Sequence, residues 1–206
     1  MEPITLTTER LSLRPFGPQD AEALYLACQD PDIQRWTVVP SPYSRADAAL
    51  WTETLSPAGW REDTMYNFAV VRRDDGPLVG ALGINRCSLP GTFEVGFWTA
   101  REHRGAGHTT EAVLAAARWA FTSLSADRLE WRAEIGNAPS RAVALRAGFR
   151  MEGDQRSGLF NKGTRRDTWT GALLPADLGL PGTHPHLPSR DGLRPPGAGT
   201  DVSGAL

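Results

Sequence analysis

Residues 101–112 read Arg101-Glu102-His103-Arg104-Gly105-Ala106-Gly107-His108-Thr109-Thr110-Glu111-Ala112. They precede the strongest helical pattern in the chain, in which Val113, Ala116, Ala117, Ala120, Phe121 and Leu124 share one face. Small residues at 105, 106 and 107 let a ligand approach the backbone closely. The first helical turn offers unpaired N–H groups and the positive end of the dipole. Such a turn favours phosphate, and Arg104 adds a forked cationic donor. An ordinary strand-to-helix turn is the plainer alternative.

Outward from this turn, strand and helix patterns alternate. Residues 10–14 alternate polar and apolar and stop at Pro15, as a strand does. Helices are expected over 18–29 and over 44–55, the second with Ser44 as N-cap and Asp47 three residues on. Strands are expected over 66–72 and 78–85, joined by Arg73-Asp74-Asp75-Gly76-Pro77, followed by a third over 92–99. After the central helix come a strand over 128–135, a short helix over 138–147 stopped by Gly148, and strands over 149–156 and 164–174 joined at Asn161-Lys162-Gly163. This order predicts an α+β fold: a mixed, mostly antiparallel twisted sheet with helices on both faces.

Composition narrows the function. The chain has 206 residues, a formal net charge of -2 and 40% hydrophobic residues. That is enough for a sizeable core, and the charge argues against a nucleic-acid partner. No apolar run approaches the ~18 residues of a membrane span, and the first five residues carry no basic leader pattern. With only Cys28 and Cys87, a disulfide framework or cysteine metal site is not expected, and a cytoplasmic setting is the simplest. Lys162 is the sole lysine, so Schiff-base chemistry would rest on it alone. Residues 179–206 are rich in Pro and Gly and read as a disordered tail after a domain over 1–178. His184 and His186 lie in the tail without a third ligand, and no metal is assigned.

Three phosphate-binding patterns compete at residues 104–109. A P-loop fails because no Lys follows Gly107, and a dinucleotide fingerprint fails because Thr110 stands at its third glycine. The third is Arg-x-x-Gly-x-Ala/Gly, the pyrophosphate loop of coenzyme A acetyltransferases, matched by Arg104 and Gly107 and departed from at Thr109. Further segments match in order: Thr8-Glu9-Arg10-Leu11-Ser12-Leu13-Arg14-Pro15-Phe16 with Asp20-Ala21, Asn137-Ala138-Pro139-Ser140 with Gly148-Phe149 and Glu152-Gly153, and Arg166-Asp167 with Trp169. Over residues 5–176 the chain resembles the RimJ/RimL-like branch of the GNAT acetyltransferase superfamily. The resemblance implies acetyl-CoA as acyl donor, direct transfer to an amine and a V-shaped splay between the central strands.

The resemblance also implies site residues. Val95, Gly96 and Phe97 would lie beside the pantetheine, and Gly96 suggests a bulge whose unpaired N–H groups polarise the acetyl carbonyl; a plain packing bulge is the alternative. Arg104, Gly105, Ala106, Gly107, His108 and Thr109 would hold the pyrophosphate. Asn137 would bond the pantetheine amides or simply cap the last helix. Ser140 would protonate the leaving thiolate, or bond its own backbone. The tyrosine acid of many relatives would fall at Ala144, and no tyrosine follows Tyr66. Glu94 is the first candidate base and Glu134 the second, although either could be a sheet-surface carboxylate. His103 and His108 are too far along the cofactor to be bases. Trp36, Tyr43, Trp51 and Trp60 would wall the acceptor or pack the helices together.

An α-amine has a pKa of ~7.7–8.0 and a lysine ~10.4, so presenting the neutral amine costs ~3.4 kcal/mol less for the former. A weak base therefore suits a protein N-terminus or a small α-amine. Two classes stand: an active N-acetyltransferase, monomeric or homodimeric, and a non-catalytic acyl-CoA-binding or regulatory protein of the same fold.

Overall fold

The computed structural model describes residues 1–73 and 76–188. Eight strands form one sheet in the order β1-β2-β3-β4-β5-β6-β8-β7. They are β1 (Leu6–Thr7), β2 (Leu11–Pro15), β3 (Met65–Arg72), β4 (Leu78–Arg86), β5 (Thr92–Thr99), β6 (Arg128–Glu134), β7 (Arg150–Asn161) and β8 (Thr164–Leu173). Every pairing is antiparallel except β5 with β6. The helices are α1 (Ala21–Ala27), α2 (Pro31–Trp36), α3 (Arg45–Leu50), α4 (Ser56–Arg61), α5 (His108–Ser123) and α6 (Ala138–Arg146). Among the described residues, no helix is long and apolar enough to cross a membrane.

Side-chain alternation along β3 divides the core. Tyr66, Phe68 and Val70 face α5, while Ala69 and Val71 face α1 and α3. Helix α5 turns a stripe of Ala112, Val113, Ala116, Ala117 and Ala120 onto the sheet, and these short side chains let it pack closely. Trp60 of α4 fills the same layer at 1% exposure, edge-on to Tyr66 and Phe68. On the other face Phe16, Leu24, Cys28, Ile33, Tyr43 and Ala48 form a smaller core. The sheet therefore carries helices on both faces, as the sequence pattern anticipates.

Ser44 caps α3 through a reciprocal box with Asp47, as expected. The helix then continues through a π-helical turn at Trp51–Leu55 into α4, which ends six residues beyond the expected 55. Helix α2 is not among the expected elements; its signals are an Asp30 N-cap and Pro31 at the first position. Lys162 and Gly163 both take positive φ and close the β7–β8 hairpin in two residues. The Asp-Gly turn expected between β3 and β4 includes Asp74 and Asp75, which lie outside the described residues. In the expected tail, the N–H groups of Thr183 and His184 donate to Asp127, whereas residues 189–206 lie outside the described residues.

The expected bulge at Gly96 is absent. Pairing of β4 with β5 runs unbroken from Gly80↔Thr99 to Arg86↔Phe93. An unpaired edge arises differently: β5 pairs with β6 only at Thr92, Phe93 and Glu94, and the strands then part. This divergence is the expected splay.

Glu111, in the first turn of α5, fastens the N-terminal hairpin to this helix. Its carboxylate accepts from Thr8 Oγ1 at 2.6 Å, the Arg10 backbone N–H at 3.1 Å and Arg10 Nε at 2.7 Å. Burial pushes this carboxyl up, but the Thr8 and Arg10 hydrogen bonds outweigh burial and hold it below the ordinary value. A carboxyl with a depressed folded pKa stabilises above its unfolded pKa and loses that contribution as pH falls through the folded one. We expect Glu111→Gln to cost ~1–3 kcal/mol at neutral pH, read as a lower melting temperature. The gap from the parent should begin to close as pH falls below the unfolded glutamate value of ~4.3 and vanish only below the lower folded pKa; a gap constant from pH 7 down into the acid-unfolding range would assign the effect to shape alone.

Candidate functional site

At the C-terminal end of β5 the chain passes through a short 3-10 turn, Arg101–His103, into α5. Gly105 and Gly107 both take positive φ, +77° and +78°, with Ala106 between them in ordinary φ. This alternation curls successive N–H groups toward one concavity, an anion nest. The first intrahelical bond of α5 is Glu111 N–H to Gly107 O, 3.2 Å. The N–H groups of Gly105, Ala106, Gly107, His108, Thr109 and Thr110 find no partner among the described residues. Arg10 Nη1 donates to Ala106 O at 2.9 Å, which places a cation beside the nest. A depression of about 430 Å³ opens next to it, lined by Glu9, Arg10, Arg72, Arg73 and His108. Burial, with Arg10 and His103 behind it, lowers the His108 pKa, which keeps the ring neutral near pH 7.

The Arg104 side chain does not point into the nest. Its guanidinium forks between Asp30 at 2.8 Å and Asp32 at 3.1 Å, and its Nε donates to Thr99 O at 3.2 Å. Arg104 therefore ties the loop to the start of α2. Thr109 likewise turns inward, its hydroxyl bonded to that of Thr99. What residues 104–109 offer an anion is backbone, which depends on φ rather than on side-chain identity.

On the far side of the splay, Asn137 caps α6, its Oδ1 accepting the Ser140 N–H at 3.3 Å. The cap role is thus present, and Nδ2 keeps no partner among the described residues. Ser140 Oγ accepts from the indole Nε1 of buried Trp131 at 3.1 Å. With a lone pair so occupied, the hydroxyl proton is left to donate elsewhere. Nothing in the local sequence marks Trp131 as this partner; its signal is only that a buried indole N–H needs an acceptor.

Glu94 lies at the fork of the two strands, where Arg132 of β6 donates to its Oε2 from Nε at 2.9 Å and also from Nη2. Glu134 is more tightly held. Arg35 of α2 grips both its oxygens at 2.7 Å, and Arg166 stands 3.6 Å away. The Arg35 hydrogen bonds hold its carboxyl below the ordinary range, and its exposure is 13%. Glu134 thus stitches α2 to β6 and β8. The β7–β8 hairpin tip joins the same seam: Asn161 Nδ2 donates to Thr37 O at 3.2 Å, and Lys162 Nζ bonds Gln34 O. Of the aromatic residues expected near an acceptor, Trp60 and Tyr43 are core, Trp51 packs edge-on to Phe16, and Trp36 stacks under Arg35 beside Gly136. The structure thus brings Glu94, Gly96, the nest, Asn137 and Ser140 around one splay, and places Arg104 and Glu134 in its scaffold.

Residues 10–150 match the family model described as Acetyltransferase (GNAT) domain. A Bacillus subtilis protein provisionally named a ribosomal N-acetyltransferase, YdaF, is 32% identical over 81% of this chain and 92% of its own length. The Escherichia coli ribosomal-protein-serine acetyltransferase is 32% identical over 87 residues, 42% of this chain and 48% of that one. The solved structure of Mycobacterium smegmatis RimJ in complex with CoA-disulfide superposes with a TM-score of 0.76 at 25% identity, over 87% of this chain and 93% of that one.

The Arg104 fork generates a prediction. Asp30 is 8% exposed in its side chain, so Arg104→Ala leaves a buried carboxylate with its cap hydrogen bond from the Asp32 N–H but without its counter-charge. A loss of ~1–3 kcal/mol is expected, read as a lower melting temperature. Adding Asp30→Asn, which keeps the helix cap without the charge, should restore part of it. An additive double variant would mean that the two side chains do not interact.

Proposed function

The chain is an N-acyltransferase of the GNAT acetyltransferase family, in its RimJ/RimL-like branch, and from that premise we propose that it moves an acetyl group from acetyl-CoA directly to an α-amine, a protein N-terminus or a small molecule. The observation that carries this reading is the nest at Gly105 and Gly107, whose orphaned amides face a concavity that suits pyrophosphate. Acetyl-CoA, when bound, supplies an activated thioester acyl group. The backbone of residues 105–109 holds its pyrophosphate, and the unpaired edge of β5 at Val95, Gly96 and Phe97 holds its arm, opposite Asn137. Edge N–H groups there also polarise the acyl carbonyl, an oxyanion role.

Glu94 takes a proton from the attacking ammonium, directly or through water, and Ser140 donates its hydroxyl proton toward the departing sulfur. Trp131 fixes the Ser140 rotamer for that donation. A carboxylate base fits an α-amine better than a lysine, whose ammonium gives up its proton less readily. The names of two relatives point the same way, YdaF as a provisional ribosomal N-acetyltransferase and the Escherichia coli protein as a ribosomal-protein-serine acetyltransferase, so a protein N-terminus is the favoured acceptor. A cytoplasmic setting goes with such an acceptor.

Binding of CoA, read by thermal shift, and thiol release with peptide amines test the reading and separate it from a non-catalytic CoA-binding protein. Ser140→Ala should lower kcat ~5–150-fold with little change in KM for acetyl-CoA, because sulfur charge develops only in the transition state. Glu94→Gln should show a deficit that shrinks as pH approaches the amine's own pKa, where the base is needed less. A deficit constant with pH would make Glu94 an orienting group. CoA binding without thiol release from any amine would favour the non-catalytic alternative.

A further inference from the structure

Where the β5–β6 ladder stops, an ion pair takes its place. Glu94 opposes Glu130 in the last rung. Alternate residues of a strand share a face, so Arg132 is the first residue of β6 beyond that rung on the face that carries Glu94. This is the face away from α5, since Phe93 and Val95 belong to the core beneath that helix. From β6 the Arg132 guanidinium reaches back across the opening to the Glu94 carboxylate. Thr170 of β8 is its opposite number on the other side.

The pair leaves half of each partner idle. Nε and Nη2 both donate to one oxygen, Oε2, and Oε1 has no hydrogen-bond partner among the described residues. Other arginine–glutamate pairs in the chain differ: in Arg35–Glu134 and Arg45–Glu22 each oxygen takes its own nitrogen. A guanidinium carries five N–H donors, so the contact with Glu94 leaves open the edge formed by Nη1 and the second hydrogen of Nη2. Nearby Glu130 does not fill that edge, because Arg128 holds it along with Glu152. Both groups are within reach of a ligand, Glu94 being 27% and Arg132 37% exposed in their side chains. An idle carboxylate oxygen and an idle guanidinium edge thus belong to one ion pair at the mouth of the splay.

We propose that Arg132 is a specificity-determining residue for the acceptor: its open edge binds the carbonyl oxygen one carbon beyond the amine-bearing carbon, while Glu94 Oε1 receives the amine. The inference rests on the acetyltransferase reading above and deepens it. In an α-aminoacyl unit the nitrogen and the carbonyl oxygen are three bonds apart, ~3 Å in space. A cation and an acceptor so close together match a carboxylate oxygen and a guanidinium edge that are themselves joined by a hydrogen bond. The second contact matters once the ammonium has given its proton to Oε1. The neutral amine is then held less by Glu94, and the carbonyl on Arg132 keeps its nitrogen in place for attack. A peptide N-terminus or an amino-acid amide fills both halves. A lysine side chain or an alkyl polyamine has no carbonyl at that position and fills one.

Alaninamide and 3-methylbutan-2-amine, which replaces the carboxamide by an isopropyl group of the same branching, form the test pair. Thiol release from acetyl-CoA is measured with each and expressed per neutral amine, which removes their difference in basicity. The parent should favour alaninamide roughly tenfold or more in kcat/KM, the worth of a hydrogen bond to a charged donor. In Arg132→Ala the preference should fall to within about twofold, with the CoA thermal shift retained. Arg132→Lys keeps a cation for Glu94 but has no planar edge. It should raise KM for alaninamide about tenfold and change kcat by less than about threefold, because the contact is made before and during transfer. Equal handling of the two amines by the parent, or a preference that survives in both variants, overturns the proposal. A fall in kcat alone in Arg132→Lys also overturns it, since Arg132 would then act only by supporting Glu94. A parent that binds CoA but releases no thiol with any amine overturns the acetyltransferase reading and this inference together, an outcome distinct from loss of preference alone.

Discussion

The β5–β6 ladder is three residue pairs long, and the candidate site is built on its ending. Parallel pairing brings Thr92, Phe93 and Glu94 against Arg128, Leu129 and Glu130, after which the strands diverge. Each remains supported on its other side, β5 by β4 and β6 by β8. The sheet is thus continuous at one end and split at the other. The split leaves backbone on β5 unpaired without a bulge, separates the α5 N-terminus from that of α6, and puts Glu94 and Arg132 at the fork. Filling the fork with a longer ladder would satisfy those backbone groups and remove the site.

Arginine forks hold the elements around that opening. Arg10 fastens the N-terminal hairpin to α5 through Glu111, Arg104 joins the nest loop to α2 through Asp30, and Arg35 joins α2 to β6 through Glu134. A planar guanidinium can span two oxygens or two residues with fixed geometry, which a lysine ammonium does not do. The chain's near-exclusive use of arginine therefore has a structural consequence, whatever its origin in composition. These pairs are partly exposed, so their value lies in fixing where α2 and the nest sit more than in bulk stability.

Patterns that repeat along the chain were legible without coordinates. The capping box at Ser44 and Asp47, the alternation in residues 128–134 and the apolar stripe of α5 are local, and the structure contains each of them. The missed α2 had a readable signal in Asp30-Pro31, but its six residues carry too little periodicity to show as a helix. Gly96 was assigned a bulge because glycine in a strand usually marks one; the unbroken pairing of β4 with β5 through Gly83 and Gly96 is a property of the sheet that no local pattern shows.

The sequence by itself determined the order of elements, the small-residue turn before α5 and the family resemblance, because these depend on residues near one another in the chain. Only the tertiary structure decided which side chains those elements put to use. Arg104 faces Asp30 across 74 residues, Trp131 meets Ser140 through the turn between β6 and α6, and Asn67 leans over Gly83 because two strands pair in one register and not the next. A shift of one residue in that register would turn Asn67 to the opposite face. Strand register is set by burial over the whole sheet, so no local motif could have shown that alignment.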